Sequence, residues 1–327
     1  MQSKRDTKLV LSVLALLVTV ASLAIVVGVY LNVEDTEVRN HIIVQITLPV
    51  ILTAFLVGAA LSASAACLQV LLNNPLADPG IIGISSGASL VAAILLLSGV
   101  ITDSAHFHYW LPLACFAGAL LSTLFIYAIA KRLRGSPVAV ILAGIAISTL
   151  AGALIAWLYY FADAQSLRNL TFWLMGSVYQ TDWVLLSVGA PIILCALVAL
   201  VVNAGKLNQL YLGKEVAITS GLDAQKVQSR LLFCCAIAVG AAVSLAGSVA
   251  FIGLLIPHLL RLLLGFNNRL IIPASALLGG LVLLCIVLIT ENWAVTTLPL
   301  SMLTATLGGP VFIWALMRGQ FTLGNGR

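Results

Sequence analysis

The sequence predicts an all-α polytopic membrane protein of about ten transmembrane helices, both termini cytoplasmic. Its composition, its long apolar runs and the sidedness of its basic residues carry that expectation. Hydrophobic residues make up 61% of the 327-residue chain and charged residues 8%, against roughly 45–50% and about 25% in a soluble domain. A water-soluble fold of this length is excluded. In lipid the backbone must satisfy its own hydrogen bonds, so runs of about 20 apolar residues are expected to be helices.

Charged or Pro/Gly/Asn-rich breaks divide the apolar sequence into spans at 9–31, 48–71, 83–101, 111–130, 138–160, 184–204, 230–248, 249–266, 271–289 and 298–317. The first run, Leu9 to Leu31, is too long for a signal-peptide core and is read as a helix. The split near 248 requires Ala246-Gly247-Ser248 to turn the chain within an apolar stretch; without it there are nine spans. With the N-terminus inside, Lys4, Arg5, Lys8, Lys131, Arg132, Arg134, Lys206, Lys214, Lys226, Arg230, Arg261, Arg269, Arg318 and Arg327 face the cytoplasm. Only Arg39 and Arg168 face out, a positive-inside asymmetry that supports ten spans. The outer loops carry the acids Glu34, Asp35, Glu37, Asp103, Asp163, Asp182 and Glu291. The whole chain, 1–327, reads as a single transmembrane domain.

The net charge of +5 is scattered through short loops, without the stripe or run that nucleic-acid binding needs. Cys67, Cys115, Cys195, Cys234, Cys235 and Cys285 all lie in apolar runs without metal-type spacing and read as small buried hydrophobes. No metal site is expected.

The longest cytoplasmic loop, 205–229, reads as two short amphipathic helices divided at Ser220-Gly221. Leu207, Leu210, Leu212, Gly213, Glu215, Val216, Gly221 and Leu222 make it a candidate docking element for a soluble partner; otherwise it is a solvated connector. No loop could house a nucleotide-binding domain and no G-x-x-x-x-G-K-[ST] motif occurs. Any ATP and Mg chemistry therefore belongs to another chain.

Between the second and third spans, Asn74, Pro75, Asp78 and Pro79, then Gly83, Ser85, Ser86 and Gly87, mark an ordered helix break and restart. Such backbone at membrane depth needs protein or a cavity around it; a tight cytoplasmic turn is the plainer reading. Gly83-Ile84-Ser85-Ser86-Gly87 also fits a nucleophile elbow, but that motif needs a preceding strand and His and acid partners, and the setting is helical with His41, His106 and His108 on the opposite side. A second unusual stretch ends in Pro257, His258 and Arg261. Polar groups in a membrane usually have a partner or a task, whether gating or simple bonding and snorkelling.

Small residues recur at Gly58, Ser62, Ala66 and at Gly240, Ser244, Ser248, which permits close helix approach. The two stretches echo each other at an offset of 182, as in Gly58/Gly240 and Pro75/Pro257, although the echo does not register with the span boundaries.

Several segments together resemble the permeases that import iron-siderophores, haem and cobalamin, the type II ATP-binding-cassette importers. They are Gly58-Ala59-Ala60-Leu61 leading to Gln69; Asn74-Pro75-Leu76-Ala77-Asp78-Pro79-Gly80 through Ala88; Trp173-Leu174-Met175-Gly176-Ser177; Leu212-Gly213; the Pro257-His258 stretch; and Leu298-Pro299 with Thr304 through Phe312. The resemblance covers nearly the whole chain. It implies a ten-helix inner-membrane subunit that pairs with a second permease subunit, two ATP-binding subunits and a periplasmic binding protein. It further implies that Leu207 to Leu222 seats in the ATPase and that a bulky chelate passes by alternating access. The chain departs from the family where Arg-Leu-Pro-Arg usually precedes the second helix: Thr47-Leu48-Pro49-Val50 stands here. Near the ninth helix Glu291 has no accompanying Arg. Docking to the binding protein would then fall to Glu34, Asp35, Glu37, Arg39, Arg168 and Glu291, or the arginines would come from the other half of a heterodimer. Ferric siderophore is the first expectation for cargo, with haem and cobalamin open. An ion-gradient carrier is the alternative, although the spans contain almost no carboxylates for an ion relay.

Overall fold

A computed structural model describes residues 2–98, 107–133, 136–293 and 298–317. Asp103, His106, Arg134, Arg318, Arg327 and the end of the expected third span lie outside the described residues. The described residues are all-helical, without strands. The helices are α1 (Gln2–Asn32), α2 (Thr36–Ile42), α3 (Leu48–Leu71), α4 (Ile84–Leu97), α5 (Phe107–Arg132), α6 (Pro137–Phe161), α7 (Ala164–Met175), α8 (Trp183–Val202), α9 (Ala204–Tyr211), α10 (Lys214–Thr219), α11 (Ala224–Ala246), α12 (Ile252–Leu264), α13 (Asn268–Trp293) and α14 (Leu300–Met317). A π-helical turn, Ile43–Thr47, joins α2 to α3.

Each expected span falls on one helix. Seven of the described helical segments are long and apolar enough to cross a membrane, while α4, α12 and α14 are shorter apolar helices. Helix starts are set by side chains that bond the free N–H groups of the first turn. Ser136 accepts from Ala139 N–H at 3.1 Å ahead of Pro137, and Asp182 accepts from Leu185 N–H at 2.9 Å. Asp223 accepts from Lys226 N–H at 3.0 Å, and that bond, with the Lys226 ammonium 2.9 Å away, holds its carboxyl below the usual range.

The two halves of the chain repeat one plan in opposite directions. Each has a long helix (α3, α11), a break, a short helix (α4, α12), a long helix with proline at its sixth position (Pro112, Pro273) and a final apolar helix (α6, α14). Gly118 and Gly279 are both the twelfth residue of theirs. α3 and α11 run antiparallel through the centre: Gln228 donates to the Leu71 carbonyl at 3.2 Å, and Cys235 Sγ lies 3.6 Å from the Ser64 carbonyl. The offset between equivalent helices is not constant, so the 182-residue echo is not the structural pairing. Inverted repeats of this kind recur in membrane transporters.

Across the repeat, α3 packs on α13 and α11 on α5. Water gives no hydrophobic drive between helices in lipid, so close contact depends on small side chains. Gly58 faces the backbone of Gly279 and Gly280, and Gly87 faces that of Gly118; no Cβ fits at either contact. Gly240 lies against Ala119 and Phe116 of α5. Gly58→Val therefore collides with α13 and is expected to destabilise the bundle by about 1–3 kcal/mol. Gly152, with open space around its Cβ position, accepts alanine with a gain of up to about 1 kcal/mol. Thermal unfolding of the two variants in detergent measures the contrast, and equal midpoints contradict it.

Candidate functional site

Two places in the bundle combine irregular backbone with buried polar groups. One is the meeting of the two helix breaks. After α3, Asn73 turns the chain with φ 47°. Asn74 Oδ1 accepts from Leu76 N–H at 2.9 Å, Asp78 Oδ1 accepts from Gly80 N–H at 2.8 Å, and Gly83 (φ 90°) starts α4. The segment climbs back into the bundle. A Cβ on Gly83 would lie 3.0 Å from both the Gly144 carbonyl and Ser148 Oγ of α6, and Ser86 donates to Ser148 at 2.9 Å. Asp78 Oδ2 reaches Gly253, in the first turn of α12, beside Leu61 and Ala65. Leu61 lies ten residues, about 15 Å of helix rise, from the end of α3. The carboxyl group is therefore at mid-bundle, facing the start of α12.

The second break, Gly247 to Phe251, holds Phe251 at φ 70°, a region where non-glycine residues store about 1–3 kcal/mol of strain. Its polar groups are satisfied from outside. Ser177 N–H donates to the Ala246 carbonyl at 2.8 Å, Ser301 Oγ to Ser248 at 2.7 Å and Thr181 Oγ1 to Leu245 at 3.1 Å. Gly176, C-terminal to α7, leaves no room for a Cβ, which would lie 2.6 Å from the Ser248 carbonyl oxygen. Between the breaks lies a cavity of about 240 Å³, lined by Asp78–Ile81, Ser85, Ser248–Phe251, Gly253, Leu254, Leu61, Val239 and Val243.

The other place is the loop joining α8 to α11. Leu207 is fully buried, and Leu210 and Leu222 are half-buried. Leu212 (68% exposed), Val216 (45%) and Ile218 (57%) stand outward with Glu215. The two short helices are divided at Gly213 (φ 119°), not at Ser220-Gly221 as expected; Gly221 (φ 79°) instead turns the chain from α10 towards α11. Tyr211 stacks on Phe266 with ring centres 5.4 Å apart. Asn208 Oδ1 accepts from both the backbone and side-chain N–H of Asn268, at 2.7 and 2.9 Å, while its amide donates to Asn267 at 2.9 Å. Asn268 Oδ1 in turn accepts from Arg261 Nη2 at 3.1 Å; the same nitrogen donates to the Ala66 carbonyl at 2.9 Å, and Nε reaches Gln69 Oε1 at 3.4 Å. Arg261 is only 4% exposed.

The remaining candidate residues are distributed as follows. Asn74 and Pro75 follow Asn73 at the end of the bundle that carries α9 and α10, Pro79 and Ser85 lie at the cavity, and Gly87 of α4 packs against α5. Pro257 and His258 are buried in α12. The start of α4 carries the Gly-Ser-Gly pattern on a turn-to-helix junction. At the opposite end Asp35 caps α2 by accepting from Glu37 and Val38 N–H at 2.9 and 3.1 Å, and Arg39 lies 4.2 Å over the Tyr30 ring. Glu34 and Glu37 are exposed; Arg168 donates to Gln165 at 3.0 Å, and Glu291 is exposed at the end of α13. Sequence reasoning missed Asn208, Asn267 and Asn268; paired asparagines at the foot of a helix were the available signal.

The chain is similar along most of its length to curated permeases. It is 39% identical over 293 residues to the vitamin B12 import system permease protein BtuC of Vibrio cholerae, covering 87% of this chain and 85% of that one. It is 35% identical over 292 residues to the hemin transport system permease protein HmuU of Yersinia pestis, covering 88% and 86%. A metal-chelate type ABC transporter solved in an inward-facing conformation superposes with TM-score 0.85 at 28% identity, covering 94% of this chain and 98% of that one. The FecCD transport family model matches residues 8–318, and the chain belongs to that family.

Proposed function

We propose that this permease is the membrane-spanning subunit of an ATP-driven importer, crossing the inner membrane ten times with both termini in the cytoplasm. The 14-residue α4 and 13-residue α12 rise only about 20 Å of a roughly 30 Å hydrocarbon core. The breaks at 72–83 and 247–251 supply the rest of those two crossings. Lys131, Arg132, Lys206, Lys226 and Arg269 gather at the end that holds α9 and α10, which supports a cytoplasmic placement for that end. The cargo is a bulky metal-centred chelate; the vitamin B12 and hemin permeases among the relatives favour a corrinoid or haem over a siderophore.

One observation carries the mechanism: the α9–α10 loop shows Leu212, Val216 and Ile218 to solvent while Asn208 fastens the same loop to the bundle. In the proposed assembly a second permease subunit completes the pathway, two ATP-binding subunits hold ATP and Mg, and a periplasmic binding protein delivers cargo. The exposed face of the loop seats in an ATP-binding subunit, whose closure shifts the bundle between outward- and inward-open populations. The cavity beside Asp78 lies on the gating region, and Glu34, Asp35, Glu37, Arg39, Arg168 and Glu291 present the docking face. An ion-gradient carrier would use no such loop.

Leu212→Asp combined with Val216→Asp is expected to abolish co-purification of the ATP-binding subunit and ATP hydrolysis, with the unfolding midpoint of the permease unchanged. Retained binding and hydrolysis contradict the coupling role. Asp78→Asn replaces the carboxyl oxygen that faces the start of α12, a polar contact worth about 0.5–2 kcal/mol. Uptake into proteoliposomes is expected to slow roughly two- to thirtyfold while the complex still assembles; unchanged uptake places Asp78 outside the gating step.

A further inference from the structure

Helices α5 and α8 both lean on α11 but scarcely touch each other. The slot between them has a volume of about 240 Å³. Leu113, Val184 and Val188 form its exposed rims, and Phe116, Ser244 and the buried Leu245 its floor. Gly189 permits α8 to lie directly against Leu245, which sets the depth of the floor. From Val184 to Ile192 the slot follows nine residues of α8, a helix rise of about 12 Å, close to the roughly 15 Å depth of one leaflet's hydrocarbon.

The mouth of the slot is polar and negatively charged. Asp182 Oδ2 accepts from the Tyr109 hydroxyl at 3.1 Å, with His108 Nε2 at 3.8 Å, and its Oδ1 caps α8. Trp183 donates to the Val44 carbonyl at 2.8 Å and Trp110 is exposed, the aromatic signature of a headgroup-level boundary. An apolar slot open to a bilayer fills with the hydrocarbon around it, because a dry void forfeits contact on both walls.

We infer that this slot binds one acyl chain of an aminophospholipid, whose headgroup ammonium pairs with the Asp182 carboxylate. The inference rests on the membrane placement of the bundle and is independent of ATP coupling. Its test uses the importer complex in nanodiscs of equimolar phosphatidylethanolamine and phosphatidylcholine, re-extracted in mild detergent and weighed by native mass spectrometry. The wild type is expected to retain one phosphatidylethanolamine per permease chain. Val188→Trp fills the slot and loses it, whereas Val198→Trp, at an exposed position of α8 away from the slot, keeps it. Asp182→Asn, which preserves the helix cap, is expected to keep a lipid but lower the preference for phosphatidylethanolamine about threefold, the scale of an exposed ion pair. Absence of retained lipid in the wild type, equal loss in both tryptophan variants, or a second permease chain held at this face overturns the inference.

Discussion

Arg261 cannot lie inside an apolar bundle without partners, and the identity of those partners organises the end of the molecule that carries α9 and α10. Leaving a guanidinium unpaired in the interior is far more destabilising than any packing defect nearby. The charge is met by the Ala66 carbonyl and Gln69 of α3 and by Asn268 at the start of α13. Asn268 is oriented by Asn208 of the loop. A single buried cation thus binds α3, α13, the short α12 and the exposed loop into one unit. Motion of the loop then requires either the same motion in α3, α12 and α13 or loss of hydrogen bonds that nothing else replaces.

A second constraint governs the breaks. Unwound backbone in a membrane has no water to bond, so each free group needs a partner from the protein. The chain meets this demand mostly with short polar side chains: Asn74 and Asp78 serve the first break locally, whereas the Thr181 and Ser301 hydroxyls and the Ser177 backbone N–H serve the second from other elements. The second break is therefore fastened to the segment after α7 and to the start of α14, while the first lies against α6. Asp78 crosses between the breaks to reach the start of α12. Glycine contacts between α3 and α13 and between α4 and α5 keep this frame tight, which leaves the breaks and the loop as the places where two arrangements of the bundle can differ.

Much of this was legible in the sequence. Composition fixed the class, and every expected span falls on a helix because hydrophobic length is a strong local signal. The breaks were legible in Pro75, Pro79 and Gly83, as was the amphipathic loop in Leu207 and Leu212. What sequence could not supply was depth: nothing local reveals that residues 78–83 return to mid-bundle or that Arg261 points inward instead of snorkelling. The inverted repeat was also hidden, because helices related by inversion share lengths and the Pro112/Pro273 and Gly118/Gly279 positions without a constant register. The echo at 182 residues caught small residues that both central helices need for packing. Asn208 and Asn268 escaped notice since their pairing spans 60 positions.

Coupling depends on the loop and the bundle moving together through Asn208, so the decisive measurement is cargo transported per ATP hydrolysed by Asn208→Ala complexes in proteoliposomes. This substitution leaves Arg261 its bonds to Ala66, Gln69 and Asn268, so the bundle keeps its buried charge paired. Assembly and hydrolysis are expected to stay intact while transport per ATP falls about three- to tenfold, the range of a broken coupling contact. An unchanged ratio would contradict this coupling and would mean that force reaches the pathway by another route.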